Sequence, residues 1–563
     1  MRGIPLVGCL LVACGGKDTP PITPDAGLEG FQGTDIDCPG DPSCATPGDG
    51  VLRVGAAKRS YTPQNFETYT DENNDREWQN DEPFTDLNAN GKFDGVWLFG
   101  GARAALGVKT DIEARALAFV QGDTTAVVLY IDSVGLIGGD IDTIRAHPML
   151  SGLDIDHIII GTTHAHDTPD TLGLWGPTVT ATGRQQFVLD ALYDASAAAV
   201  KEAVESARPA TMVIASPKLL NDPSDPNSLT DDFNKDIRDP VIFDPTLTIA
   251  RFVETGNSTT IGTLVNWANH PEASHFSDVD GSEITAHYVH WLREGIENGV
   301  LASESSYAGA DLAGIGGVTV FAQGALGGQI GSLRGTHPKL PDGTPTTDVG
   351  HVFEQALGTN AAAIALEALA ASGESVTDLP LAVKSAKYNA RIDNTYFHVA
   401  FLIELLGPHE LIGYDPDDPI EVGNLPWMPI RASFLQVGPL GMATAPGELH
   451  PELWVGGYDG SWSHGYPLFD PEKPNPPKFD EAPAPPYMRD LVLAHTGVRY
   501  PILAGCAEDY VGYVVPNYNY ALDPQDPYLV EAEGDHYEEV YSLGPDVEQH
   551  VVHPILQLLM HRR

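Results

Sequence analysis

Residues 157 to 167 read HIIIGTTHAHD, and this stretch does most to indicate the fold. It opens with a short apolar run, which is typical of a buried strand. The run ends at Gly161, and two histidines follow at positions 164 and 166. In an extended chain residues i and i+2 project to the same face, so one ring can bind a metal while the other reaches the same substrate. The segment therefore predicts a strand that ends in a candidate reaction centre, although a histidine pair of this kind is as often structural and further ligands are needed to decide.

Similar apolar runs on either side predict further strands over residues 125–131, 260–266 and 432–443. Between them, apolar residues recur at three- and four-residue spacing over 184–208, 282–298, 349–371 and 546–560, which predicts helices. Strands that alternate with helices, without an internal repeat, indicate the α/β class in its mixed α+β form. We expect one large domain over residues 51–563, with mixed sheets flanked by helices.

Three more polar residues follow predicted strands. His270 comes after the run 260–266, Glu448 follows the run 432–443 in Ala-Pro-Gly-Glu, and Tyr513 lies in the late motif Asp-Tyr-Val-Gly-Tyr-Val. Taken alone, each residue of this kind is more often structural than functional. Their shared position at strand ends favours one common site.

The charge of the chain excludes a class of partners. Its 563 residues carry 31 Lys and Arg against 78 Asp and Glu, a formal net charge of −47. Duplex nucleic acids are bound mostly through cationic side chains, so we expect no nucleic-acid partner. An acidic surface is instead typical of an exported protein that holds divalent cations.

The first fifty residues predict export. A basic start and a brief apolar run, too short to span a bilayer, give residues 1–13 the layout of a lipoprotein-type signal peptide, with Cys14 as the lipidated residue. Cleavage at Cys9, or plain secretion, is the alternative. Residues 14–50 have the Gly- and Pro-rich composition of a flexible tether, in which Cys38 and Cys44 are spaced for a small disulfide. We expect a protein secreted or lipid-anchored at the bacterial cell envelope, without a transmembrane helix.

An acidic insert at residues 71–94 predicts calcium binding. Two stretches place oxygen-bearing side chains at EF-hand-like spacing, although Arg76 stands where the first loop should have Gly and Trp97 where the second should have its last ligand. One shared ion, two ions, or a merely solvated loop are all compatible with this pattern. The candidate calcium ligands are Asp71, Asn73, Asp75, Glu82, Asp86, Asn88, Asn90 and Asp94.

Several motifs in order resemble the catalytic region of the neutral/alkaline non-lysosomal ceramidases. Thr163-His164-Ala165-His166 is similar to the family's T-H-T-H segment, and residues 266–270 are similar to its N-W-x-x-H. Residues 321–328 resemble F-A-Q-x-x-x-G-D, residues 445–448 match A-P-G-E, and residues 510–514 match the late tyrosine motif. The resemblance covers most of the chain from 51 to 545, without the family's C-terminal immunoglobulin-like domain.

The resemblance implies a zinc-dependent hydrolase of N-acyl (amide) bonds acting on a lipid-like or small N-acyl substrate. It implies zinc ligands at His164, His270, Glu448 and Tyr513, a catalytic His166, and a substrate-side arginine for which Arg238 is the candidate. A water activated by the zinc would be the nucleophile.

Ile330 stands where the family has a serine, so the substrate-facing residues depart from the pattern. The alternatives are an esterase or another amidohydrolase on the same scaffold, including a binuclear one, and a non-catalytic metal-stabilised surface binding protein.

Overall fold

The computed structural model describes residues 36–37 and 50–561, apart from 223, 226, 278–279, 331–334 and 347–348. The predicted signal peptide 1–13, the lipidation site Cys14, the Cys38 and Cys44 pair and nearly all of the tether 14–50 lie outside the described residues. Among the residues described, no helix is long and apolar enough to cross a membrane.

Strands and helices are mixed throughout the described residues, which confirms the predicted mixed α/β class. The strands are β1 Ile36–Asp37, β2 Arg53–Ser60, β3 Gly107–Val108, β4 Glu113–Gln121, β5 Thr124–Ile131, β6 His157–Thr162, β7 Arg208–Ala215, β8 Thr248–Glu254, β9 Thr260–Trp267, β10 Glu283–Ile284, β11 Gly299–Val300, β12 Leu312–Ala313, β13 Val318–Gln323, β14 Glu374–Val376, β15 Leu381–Arg391, β16 Trp427–Val437, β17 Leu440–Thr444, β18 Glu448–Leu449, β19 Tyr500–Ala504 and β20 Tyr513–Val514. The α-helices are α1 Gly138–Arg145, α2 Gln186–Glu205, α3 His287–Asn298, α4 His351–Ser372, α5 Thr395–Leu402, α6 Pro451–Val455, α7 Met488–Leu493 and α8 His553–Met560.

Two large sheets form the centre of the fold. The larger, nine-stranded sheet has the order β13-β9-β8-β7-β2-β4-β5-β6, with β14 added beside β7. The second has the order β1-β15-β16-β17-β19. The outermost strand pair at each end of the larger sheet, β5 with β6 and β9 with β13, is parallel. Strands β17 and β19 of the second sheet are also parallel. The carboxyl ends within each pair therefore meet at one edge.

The sheets pack face to face between two layers of helices. Phe119, Val128, Leu435 and Met442 belong to the apolar cluster between the sheets. Alternate residues point the other way: Phe434, next to Leu435, packs with α7 and α8. This alternation follows from the two-residue period of a strand.

Helices α2, α3 and α4 cover the outer face of the larger sheet. Gly55 lets α2 approach β2 closely, because a Cβ there would lie 1.8 Å from the carbonyl oxygen of Ala203. The fold therefore has the layer order helix, sheet, sheet, helix.

Three predicted elements have different bounds in the structure. The helix predicted over 546–560 is α-helical only from His553, after a π-helical turn over Glu548–Val552. The run 432–443 is a hairpin of β16 and β17, because Gly438 adopts a positive φ of 56° and reverses the chain. The predicted helix 282–298 begins only at His287, because Glu283 and Ile284 pair with β3.

Candidate metal centre

The predicted histidines lie at the ends of parallel strands. His164 follows β6 in a backbone turn with φ of 63°, and His270 follows β9. Strands β6 and β13 form opposite edges of the larger sheet, but the sheet curls until the two edges meet. The Gln323 side-chain amide at the end of β13 donates to the carbonyl of Thr163, 3.0 Å away, and fixes this closure.

Glu448 reaches the same point from the second sheet. Its Oε2 lies 3.0 Å from His270 Nε2 and 3.3 Å from His164 Nε2. All three side chains are at most 2% exposed. The structure therefore places three of the four predicted zinc ligands in one buried group.

The histidine tautomers suit metal binding. His164 Nδ1 donates to the carbonyl of Val134 at 2.7 Å, and His270 Nδ1 donates to the carbonyl of Gln329 at 3.1 Å. A carbonyl can only accept, so each Nδ1 carries its hydrogen and each Nε2 is left to face Glu448. Fixing a ligand histidine through its other nitrogen is the usual outer support of a metal site.

The electrostatics of the group favour a bound cation. Burial by itself raises the pKa of the Glu448 carboxyl, but the imidazoles of His164 and His270 hold that pKa well below its usual range. Burial lowers the pKa of the His164 imidazole, and Glu448 more than reverses this effect. The ionised carboxylate thus holds one positive charge beside it, which a proton or a metal ion can supply. Two imidazole nitrogens and a carboxylate oxygen are a donor set that fits zinc.

His166 lies in the same group. Its Nε2 is 3.1 Å from His164 Nε2, and the ring nitrogens of His164, His166 and His270 lie within 4.8 Å of one another. Its Nδ1 is 3.7 Å from Glu272 Oε2. Burial, followed by the charge of His164, places the pKa of His166 well below the usual value. His166 thus lies between the candidate metal ligands and a carboxylate.

Two tyrosines of the late motif lie at the centre. Tyr510, which the sequence did not single out, donates its hydroxyl to Glu448 Oε1. Tyr513, the predicted ligand, places its hydroxyl 3.0 Å from that of Tyr537. Both belong to the motif that matched the family, and the role of Tyr513 as a ligand stays a prediction.

Arg238 lies away from the group of donors. Its guanidinium is 2.6 Å from Glu538 Oε2 and 2.7 Å from Glu539 Oε1, in a cluster that is buried. Glu538 and Glu539 directly follow Tyr537 in the chain. They therefore connect Arg238 to Tyr537, whose hydroxyl contacts that of Tyr513. Its predicted contact with substrate stays a prediction.

Three further residues lie near the centre, and of these the sequence had indicated only Ile330. Cys506 is buried with φ of 48°, and its thiol interacts with His164; burial raises the pKa of that thiol. Ile330, at the position of the family serine, is 6% exposed and follows Gln329, whose carbonyl holds His270. The His275 ring stacks on His166 with centroids 5.8 Å apart.

A second group of donors lies elsewhere. Asp280, Glu283 and His351 also bring carboxylate and imidazole atoms within 4.8 Å of one another. His351 Nε2 is 2.8 Å from Glu283 Oε2, and its Nδ1 is 3.2 Å from the buried Glu354. Both ring nitrogens thus face carboxylates, which is the arrangement of a structural ion pair.

Comparison with known proteins decides the fold. No protein-family model matches the sequence, and no curated protein matches it. Among solved structures, the neutral ceramidase from Pseudomonas aeruginosa superposes with a TM-score of 0.57 at 13% identity, over 90% of this chain and 73% of that chain. The chain has the neutral ceramidase fold. A ceramidase complexed with C2 gives a TM-score of 0.54 at 14% identity, over 90% of this chain and 74% of that one.

The resemblance read from the motifs is thus confirmed for the fold. The neutral ceramidase fold here brings the T-H-A-H, N-W-A-N-H and A-P-G-E segments into a single buried group, as the motif order implied. At this level of identity the likeness carries the architecture, and the chemistry must be argued from the side chains.

Proposed function

We propose that this protein is a zinc-dependent hydrolase that cleaves the amide bond of N-acyl lipids of the ceramide type. The convergence of His164, His270 and Glu448, with both histidines fixed through Nδ1, is the observation that carries this proposal. The neutral ceramidase fold supports it, since neutral ceramidases share the architecture that builds this group.

The residues divide into ligands and groups that handle protons. His164, His270 and Glu448 would hold the ion, with Tyr513 as the predicted fourth ligand. Zinc bound in this way supplies a Lewis acid for the carbonyl and lowers the pKa of a water molecule. His166 takes up a proton at Nε2, and Glu272 stabilises the imidazolium from the Nδ1 side. Tyr510 holds Glu448 through its hydroxyl, which keeps the carboxylate oriented.

The surroundings of His166 suit an apolar substrate. The Phe99 ring lies 4.4 Å from the His166 ring and 4.5 Å from the Trp175 ring, measured between centroids. Both aromatic residues are half-buried, so they offer apolar surface beside the catalytic group. An acyl chain is the substrate part that gains most from such surface.

Location is part of the proposal. A lipid anchor at Cys14, or secretion after removal of residues 1–13, would place the enzyme where N-acyl lipids are accessible. Mass spectrometry of the N-terminal peptide from the native host tests this, because a diacylglyceryl group on Cys14 is expected and an unmodified Met1 would contradict it.

The test of the function uses the full chain without its signal. Fatty-acid release is measured from a ceramide, a simple N-acyl amide and an ester, after chelation and after zinc is returned. We expect zinc-dependent release from the ceramide and the amide. Release from the ester alone would favour an esterase, and zinc binding without turnover would favour a binding protein; either result overturns the proposal.

Two variants separate a ligand from a proton carrier. His164→Ala should lose both zinc and turnover, whereas His166→Ala should keep zinc and turn over at least about 100-fold more slowly. His147→Ala is the matched control. It also removes an imidazole, but His147 pairs with Asp194 of α2 at 3.1 Å and is not one of the candidate metal ligands. Zinc content is measured by atomic absorption. Full activity in the His164 variant would refute the zinc mechanism.

A further inference from the structure

Residues 67–97 contain a repeat with a spacing of 15 residues. The repeat pairs identical or similar side chains at fixed offsets. The equivalent pairs are Glu67 and Glu82, Tyr69 and Phe84, Thr70 and Thr85, Asp71 and Asp86, Asn73 and Asn88, Asp75 and Asn90, Trp78 and Phe93, and Gln79 and Asp94. We refer to residues 71–82 as loop 1 and to residues 86–97 as loop 2.

The two loops have the same backbone. Positions 4 and 6 have φ of 58° and 66° in loop 1, at Asn74 and Arg76, and 58° and 75° in loop 2, at Ala89 and Gly91. The first aspartate of each loop accepts the amides of positions 5 and 6 at 3.2 and 2.8 Å in both cases. Loop 2 therefore follows the same path as loop 1 despite its different last residue.

Each loop is closed by a buried glutamate, from its own position 12 in loop 1 and from the preceding residues in loop 2. Glu82 accepts the amides of loop 1 positions 2 and 9, from Glu72 and Gln79, at 3.0 and 2.9 Å. Glu67 accepts the equivalent amides of loop 2, from Leu87 and Asp94, at 2.9 and 2.8 Å. Glu67 thus occupies in loop 2 the place that Glu82 occupies in loop 1.

The position of Glu67 removes the main objection to a calcium site in loop 2. An EF-hand-like loop needs a carboxylate at position 12, and Trp97 cannot provide one. Glu67 provides it from 19 residues before Asp86 in the sequence. Glu67 and Glu82 are 3% and 7% exposed, and each carboxylate oxygen keeps a lone pair beyond its backbone bond.

A buried hydroxyl beside loop 1 points to a hydrated ligand. Tyr69 is 6% exposed, and within the described part of the chain its hydroxyl has no hydrogen-bond partner. After burial, the groups that raise its pKa are Asp71, Glu82 and Asp75, all of loop 1. A buried polar group without a partner costs about 1–3 kcal/mol, and a water bound to a cation in loop 1 would accept this bond.

The arginine at position 6 of loop 1 does not occupy the loop. Its guanidinium reaches away to the carbonyls of His275 and Ser277, at 2.8 and 2.7 Å. The positive charge therefore lies outside the set of oxygen atoms and attaches loop 1 to the segment that carries His275. Arg76 is compatible with a cation in the loop.

We propose that residues 67–97 bind two calcium ions, one in each loop, with Glu82 completing the site of loop 1 and Glu67 completing that of loop 2. Oxygen donors in two loops that are each closed by a glutamate suit a hard cation that takes six to eight ligands. Loop 1 would use Asp71, Asn73, Asp75 and Glu82, and loop 2 would use Asp86, Asn88, Asn90, Asp94 and Glu67. This inference does not depend on the proposed hydrolase activity.

Calcium titration of the chelator-treated full chain without its signal tests the stoichiometry. Isothermal titration calorimetry should show two ions per chain for the native sequence and one for either Glu67→Gln or Glu82→Gln. Asp81→Asn is the matched control, because Asp81 is exposed, lies in the same segment and belongs to neither ligand set. It removes one charge and should leave two ions bound.

Double variants identify which residues share a site. Glu67→Gln with Asp86→Ala should still bind one ion, since both act on loop 2, whereas Glu67→Gln with Glu82→Gln should bind none. Asp86 is exposed, so Asp86→Ala alone tests loop 2 even if the buried Glu67 variant fails to fold. One ion or none in the native chain, or two ions in the Glu67 or Asp86 variant, would overturn the proposal.

Discussion

The ion pair of Arg293 and Asp132 gives a sharp test of how the fold supports the metal centre. Arg293 on α3 holds the Asp132 carboxylate through two bonds of 2.8 Å, and both residues are at most 1% exposed. The same carboxylate accepts the hydroxyl of Thr163, which immediately precedes His164. The pair therefore fixes the turn that orients the first predicted ligand.

Arg293→Met would leave the Asp132 charge buried without a cation. Removing one partner of a buried ion pair costs about 3–5 kcal/mol, because the remaining charge keeps its desolvation penalty. The amide of Glu113 and the Thr163 hydroxyl still donate to Asp132, so we expect the lower half of that range. Zinc affinity should fall as well, since the His164 turn loses its support.

Urea unfolding at pH 7 measures the loss. Arg59→Met is the control: Arg59 forms an exposed ion pair with Glu202, and an exposed pair is worth at most about 1 kcal/mol. The double variant with Asp132→Asn should recover part of the stability lost in Arg293→Met, because it removes the uncompensated charge. A loss below about 1 kcal/mol for Arg293→Met would refute this view of the pair.

Two further predictions concern charge and hydrogen bonding. Burial lowers the pKa of His351, but Glu354 and Glu283 raise it overall to about 9 in the folded protein. This pKa exceeds the value of about 6.5 expected for the unfolded chain. The protonated imidazole therefore stabilises the folded state fully below pH 6.5, and this stabilisation is lost as the pH rises towards 9. In urea unfolding, His351→Gln should thus lower the free energy of unfolding by about 1–2 kcal/mol at pH 6, after allowance for solvent screening, and by little at pH 9.5. An equal loss at both pH values would contradict this prediction. Tyr510→Phe should weaken zinc binding about 10- to 100-fold in competition with a chelator, because Glu448 loses its hydroxyl donor, and unchanged affinity would contradict that role.

The sequence predicted the parts of the centre that depend on local patterns. Each of His164, His270 and Glu448 follows an apolar strand, and the ends of parallel strands bring such residues together. The curl of the larger sheet, which closes β6 against β13, depends on contacts between residues far apart in the chain, such as Gln323 with Thr163. No local pattern contains that information.

The features that the sequence reading missed also arise from long-range pairing. Tyr510 and Tyr513 are equivalent by motif, and only the fold shows which hydroxyl meets Glu448. Glu67 was not recognised as a ligand of loop 2, because a standard loop takes its last ligand from position 12 of its own sequence. The 15-residue repeat was visible and could have pointed to it.

The most direct test of the metal centre is anomalous scattering at the zinc edge from crystals of residues 14–563, grown with equimolar zinc. We predict one strong peak bonded to His164 Nε2, His270 Nε2 and Glu448 at about 2.0–2.2 Å. A peak at Asp280, Glu283 and His351 with none at His164 would contradict the account, as would the absence of any bound zinc.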